Sequence, residues 1–204
     1  MARVCILDYG SGNVKSVFNL ISSIAGDVAV SNEPASIANA THVVLPGVGA
    51  FGAAMRKIRD TLPMEAVERA VLTEKKPFLG ICVGMQVMAA RGKEFGEHAG
   101  LGWIAGDVAE LDTKGLPLPH VGWNNVSCTQ ASPLFAGLGD NPDFYFVHSY
   151  VFHPGHERHA IATTHYGVDF CSAIQHENLF GVQFHPEKSQ RAGIQLIKNF
   201  LAIS

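Results

Sequence analysis

The sequence predicts an α/β fold in which a central, largely parallel sheet is flanked by helices, with further antiparallel strands in its second half. Short apolar runs alternate with helical periodicity in the first half. Strand-rich stretches then crowd together with few helical patterns between them. Of the 204 residues, 47% are hydrophobic, so the chain can bury roughly 70% of its unfolded surface around a real core.

The elements follow in order. "RVCILDY" is an apolar strand that leads into a helix from Asn13 to Ala25, and "DVAVS" and "HVVLP" are the next strands. A helix from Ala53 to Lys75 precedes the strand "PFLGIC", and a helix from Val83 to Arg91 follows it. Strand and helix in turn imply a parallel sheet covered on both faces. In the second half, "WNNVSCTQ", "DFYFVHSYVF", "HAIATTHY", "FCSAIQH" and "LFGVQFH" are strands, some of them antiparallel. From Gln190 to Ala202, apolar Ile194, Leu196, Ile197, Phe200 and Leu201 approximate one face of a closing helix, with Ser189 as its N-cap. No repeat, low-complexity tract or Pro/Ser-rich linker divides the chain, so residues 1–204 are expected to form a single domain.

Charge and cysteine usage exclude several classes of function. A formal charge of −3 and a pI near 6.3 lack the basic footprint of nucleic-acid or anionic-membrane binding. No secretory leader precedes the first apolar run and no 18-residue apolar stretch follows, so neither export nor a membrane span is expected. Cys5, Cys82, Cys128 and Cys171 lie far apart with no CxxC pair, which argues against a disulfide framework or a zinc knuckle and for a reducing cytoplasm.

The chemistry concentrates at two segments. In "FLGICVGMQVMA", Cys82 stands where a buried strand ends and a helix begins, with Gly80 and Gly84 on either side. G-x-C-x-G has the form of a nucleophile elbow, a sharp turn that exposes the reactive side chain. The helix N-terminus behind it favours thiolate and can hold a developing oxyanion. An inert buried thiol is the alternative, and Cys5 and Cys171 read that way. In "GVQFHPEKS", His185 and Glu187 are two apart and leave the same face of extended backbone, as a base and its orienting carboxylate must. A hydrogen-bonded structural histidine is the alternative there.

G-x-C-x-G-x-Q followed by a late F-H-P-E resembles the triad-type (class I) glutamine amidotransferases. With "DYGSGNVKS", "LPGVGAFG", "PHVGWN", "FVHSY" and "HPEKS", it is similar, over nearly the whole chain, to the glutaminase subunits of imidazole glycerol phosphate synthases. The resemblance implies a flavodoxin-like fold, no cofactor, and hydrolysis of the glutamine side-chain amide. Cys82 would be the nucleophile, His185 the base and Glu187 its orienting group. The oxyanion would be held by the Val83 N–H and by a donor of the "PGVGAFG" loop at Val48, after a peptide at Gly47 or Val48 reorients. Gly49, Gln86, His148, Ser149 and Tyr150 would bind glutamine. Ser11, Asn13, His120, Trp123 and Lys188 would face a partner, a (β/α)₈ cyclase subunit joined as a heterodimer. That partner would use the ammonia to make imidazole glycerol phosphate and aminoimidazole carboxamide ribonucleotide in histidine biosynthesis.

Two other motifs carry less. "GSG" after the first strand lacks the third glycine of a dinucleotide loop and reads as a turn. His153, His156 and His159 recur every third residue, but Pro154 and Gly155 disfavour one helix face, so no metal site is expected. A glutaminase for pyridoxal phosphate or anthranilate synthesis and a non-catalytic regulator on the same fold remain the competing readings. The full Cys82, His185 and Glu187 set opposes the regulator, and "PHVGWN" with "HPEKS" opposes the other pathways.

Overall fold

The structure, a computed structural model, describes residues 2–204. The first half alternates as expected: β1 (Arg3–Ile6), α1 (Val14–Ser22), β2 (Asp27–Val30), α2 (Pro34–Asn39), β3 (His42–Gly47), α3 (Phe51–Thr61), α4 (Met64–Glu68) and β4 (Phe78–Cys82). A short helix α5 (Val83–Gln86) follows. Next come β5 (Arg91–Gly92), β6 (His98–Ala99), β7 (Gly106–Glu110), β8 (His120–Asn125), β9 (Ser127–Cys128), β10 (Asp143–His148) and β11 (Tyr150–Pro154). β12 (Ala160–Tyr166), β13 (Val168–His176), β14 (Leu179–Val182) and helix α6 (Gln190–Leu201) complete the chain.

The main sheet has the order β2-β1-β3-β4-β14-β13-β12-β9. The first five strands are parallel and the last three antiparallel, so the sheet is mixed as the two halves of the sequence foretold. Every residue of β3 and β4 is buried because helices cover both faces, which is why both read as continuous apolar runs. β2 lies at the edge and stays largely exposed. Smaller sheets pair β10 with β8 and set β11-β7-β5-β6 side by side.

Five local expectations change. The single helix from Ala53 to Lys75 is broken: Leu62 turns extended (ψ 140°) before Pro63, which disfavours helical backbone at the residue before it. The helix after Cys82 stops at Gln86 rather than Arg91. The carbonyls of Val87, Met88 and Ala90 accept from Leu101, Ile104 and Gly100, so the partners that would have extended the helix are taken. The run "DFYFVHSYVF" divides at Ser149, whose carbonyl accepts from Leu111, and the two pieces enter different sheets. In α6 the buried stripe is Gly193, Leu196, Ile197 and Phe200, with Ile194 facing outward. Ser189 precedes α6 without capping it, because its hydroxyl donates to the His185 carbonyl (2.6 Å) and accepts from the Tyr145 N–H (3.0 Å). The short α2 escaped the sequence reading: of its six residues only Ile37 is buried, too little for a periodic signal.

Candidate active site

Cys82 ends β4 with φ 54° and ψ −111°, a left-handed conformation that a non-glycine residue holds only under compulsion. The compulsion is close packing of the turn against β3. A Cβ at Gly84 would collide with the Leu45 carbonyl, and one at Gly47 would stand 2.5 Å from the Gly84 nitrogen. Larger residues would push the two strands apart and release the elbow. Cys82 is nearly covered, at 4% exposure for the residue.

β14 brings the second segment to the first. It pairs in parallel with β4, Val182 opposite Ile81, so the residues after Val182 emerge beside Cys82. His185 and Glu187 meet through a turn rather than along a strand: Pro186–Lys188 form a 3₁₀ turn that folds the carboxylate back. His185 Nδ1 lies 2.8 Å from Glu187 Oε1, and both side chains are buried. Asn13 Nδ2 donates to the same oxygen at 3.2 Å. Burial pushes the His185 imidazolium down, but Cys82 and then Glu187 act on it more strongly together and raise it to about 10. Nε2, the other ring nitrogen, makes no hydrogen bond of standard geometry among the described residues.

A cavity of about 190 Å³ lies over the thiol, lined by Val48, Gly49, Cys82, Val83, Gln86, Glu94, Val147, His148, Ser149 and Tyr150. All five residues expected to bind glutamine line it. Gln86 Nε2 donates to the Tyr150 carbonyl (2.9 Å) and to Gln183 Oε1 (3.0 Å), so both its N–H groups are used and only Oε1 is free for a ligand. His148 donates from Nδ1 to the Tyr150 carbonyl (3.1 Å) and its Nε2 meets His120 Nδ1 (3.0 Å). Burial, then His120, push His148 down to about 3, so it stays neutral with both nitrogens occupied. With neither nitrogen free, His148 is not placed to take a proton from the thiol.

The expected oxyanion donors differ in state. Val83 opens α5 beside the thiol and lines the cavity. The Val48 N–H is held instead by Ser11 Oγ at 3.1 Å, and Ser11 Oγ in turn donates to Asn13 Oδ1 at 2.8 Å. Gly47 pairs with Cys82 across β3 and β4, and Gly49 follows at φ +96°, a conformation that favours glycine.

Two polar residues at the site were not singled out from sequence. Glu94 lines the cavity and its Oε2 accepts from the Phe51 N–H (2.8 Å), capping α3. Gln183 is fully buried and reaches the sulfur. The signal for Gln183 was a polar residue inside the apolar run "GVQFH", since a buried amide needs partners. Glu94 lies in a loop without periodicity and offered none.

The residues expected at a partner face divide into two groups. Trp123 is 49% exposed, packs edge-on against Tyr145 (6.1 Å), and exposed Lys188 places its Nζ 5.4 Å from the same ring. Ser11 is half-buried. Asn13 and His120 lie inside instead: Asn13 holds the Glu187 carboxylate, and His120 stacks on Tyr166 (4.1 Å) and Phe146 (5.0 Å). Elsewhere, His153 and His156 are exposed, while His159 is buried with its ring 4.6 Å from His176. Among the described residues no helix is long and apolar enough to cross a membrane.

Residues 5–203 match the family described as glutamine amidotransferase class-I. The chain is 45% identical to the imidazole glycerol phosphate synthase subunit HisH of Symbiobacterium thermophilum, covering 98% of this chain and 93% of that one. It is 43% identical to the subunit of the same name from Moorella thermoacetica, covering 98% and 94%. A crystal structure of a glutamine amidotransferase superposes with a TM-score of 0.73 at 16% identity, covering 97% of this chain and 96% of the other, a likeness of fold alone.

Proposed function

The chain belongs to the class I glutamine amidotransferases, and on that premise we propose that it is the glutaminase subunit of an imidazole glycerol phosphate synthase. It hydrolyses glutamine to glutamate and ammonia and passes the ammonia to a (β/α)₈ cyclase subunit in histidine biosynthesis. The near full-length identity to subunits of that name supports the pathway. The observation that carries the chemistry is the buried His185–Glu187 pair at 2.8 Å, set by β14 beside the strained Cys82 elbow.

In this reading the Cys82 proton passes to His185 Nε2, and the sulfur attacks the amide carbon of glutamine. His185 then gives the proton to the departing ammonia, leaving a thioester that water cleaves to glutamate. Glu187 fixes the His185 tautomer and is itself oriented by Asn13. The open oxygen of Gln86 accepts from the substrate, and Glu94, at the cavity wall, gives a carboxylate for its ammonium group. Val83 supplies one oxyanion donor. The second, at Val48, becomes available when its peptide leaves Ser11, which makes that loop the gate that a bound partner opens. We read residues 1–204 as one domain, working in the cytoplasm as a heterodimer whose partner covers Trp123 and Lys188.

The test is labelling with a glutamine-mimicking electrophile followed by peptide mapping. Burial raises Cys5 to about 11 and Cys171 to about 12, and exposed Cys128 does not line the cavity that would hold the glutamine mimic, so these three should stay largely unmodified while Cys82 reacts. Equal label on all four cysteines would overturn the assignment of the nucleophile.

A further inference from the structure

The amide of Gln183 points at the sulfur of Cys82, and the direction of every donor around it can be worked out from one fixed acceptor. The Tyr150 carbonyl has no hydrogen to give, so Gln86 must offer it an N–H. The other hydrogen of the same nitrogen goes to Gln183 at 3.0 Å, so Gln183 presents its oxygen there. Its opposite end, the Nε2 group, therefore faces Cys82 Sγ, 3.6 Å away. Gln183 is 0% exposed, and Gln86 is 3% exposed, so neither amide is free to turn toward water.

We propose that Gln183 is a catalytic residue of this site, a hydrogen-bond donor that holds the negative charge of the Cys82 sulfur. This deepens the glutaminase reading and rests on Cys82 being its nucleophile. When the thiol proton passes to His185 Nε2, a full charge is left on the sulfur of a residue only 4% exposed, where few waters can reach it. A hydrogen bond to a charged group in such surroundings is stronger than one to a neutral group. The neutral thiol has a different neighbour, the Val147 carbonyl at 4.0 Å, which accepts from S–H and opposes the thiolate. Gln183 thus offsets this carbonyl, which works against ionisation. α5, only four residues long, offers little dipole for the same task. Because Gln86 and the Tyr150 carbonyl set the amide's direction, the substrate-binding strand and the nucleophile share one network.

The experiment follows alkylation of Cys82 by iodoacetamide against pH, read by peptide mapping, in the wild type, Gln183→Met and Gln183→Asn, alongside glutaminase kinetics and thermal melting. Methionine keeps the length and volume without a donor, and asparagine withdraws the donor by one methylene. Both variants should move the alkylation midpoint upward by about one pH unit, about a tenfold change in the thiol–thiolate equilibrium constant. kcat should fall more than KM changes, because the sulfur's charge matters after binding. In the wild type, the Gln183 side-chain ¹⁵N–¹H signal should titrate with the same midpoint as alkylation, a reading that needs no variant to fold. Unchanged midpoints in folded variants, or a flat Gln183 signal through the Cys82 titration, would overturn the proposal. Failure of the glutaminase reading would show separately, as glutamate release that survives Cys82→Ala.

Discussion

At Cys82 the backbone is held at φ 54°, in a region that costs a non-glycine residue about 1–3 kcal/mol. Glycine ordinarily destabilises a strand or helix relative to alanine, yet here the order should reverse. Cys82→Gly should unfold at higher denaturant than Cys82→Ala, by about 1 kcal/mol, with both inactive; alanine as the more stable variant would show the elbow to be relaxed. His185 gives a second residue-level outcome. Its folded value is raised to about 10 from an ordinary 6.5, so its stabilisation is complete below pH 6.5 and is lost as pH rises through about 10. The difference in melting temperature between wild type and His185→Gln should therefore be largest in mild acid and shrink toward pH 10. Cys82, His185 and Glu187 were legible because each sits in a short local pattern. Gln183 showed only as a polar residue in an apolar run, and its contact with the sulfur was not legible, since the pairing of β14 with β4 is what brings the two together.

Among the elements, the loop between β3 and α3 carries the regulatory prediction. The Val48 N–H rests on Ser11 Oγ, so removing that acceptor should free the peptide to turn toward the thiol. Ser11→Ala should raise glutaminase activity of the chain alone by about fivefold, the worth of about one hydrogen bond. A drop in activity would mean that Ser11 instead supports the active arrangement. β8 carries the docking prediction. Trp123 is half exposed and contributes an edge contact to Tyr145 rather than filling the core. Trp123→Ala should leave the melting temperature nearly unchanged and weaken binding of the barrel partner by about 30-fold or more, as read by titration calorimetry. Sequence periodicity found the parallel strands and α6 but not the ends of helices, because those ends are set by contacts made elsewhere. The carbonyls after α5 are claimed by residues 100–104, and no local pattern announces that.

For the molecule as a whole, the mixed sheet explains where the site lies. Five parallel strands put Cys82 at the carboxyl end of β4, and after the smaller sheets and the antiparallel β12 and β13 the chain adds β14 beside β4 to bring His185 and Glu187 alongside. The segment between β4 and β14 also supplies the cavity wall at Val147–Tyr150 and the exposed patch around Trp123. Alternation of strands and helices made the fold class readable, whereas strand order depends on long-range pairing and was not. On the proposed reading, the His185–Glu187 pair beside Cys82, the Val48 N–H held by Ser11 and half-exposed Trp123 belong to a glutaminase that its partner activates. Glutamate release by the chain alone, with a (β/α)₈ cyclase subunit, and with that subunit plus its nucleotide ligand tests this most directly. Release should be slow in the first case and rise on binding, toward about 100- to 1,000-fold with the ligand present, and vanish throughout in Cys82→Ala. Equal rates in all three states, or release that persists without the Cys82 thiol, would contradict it.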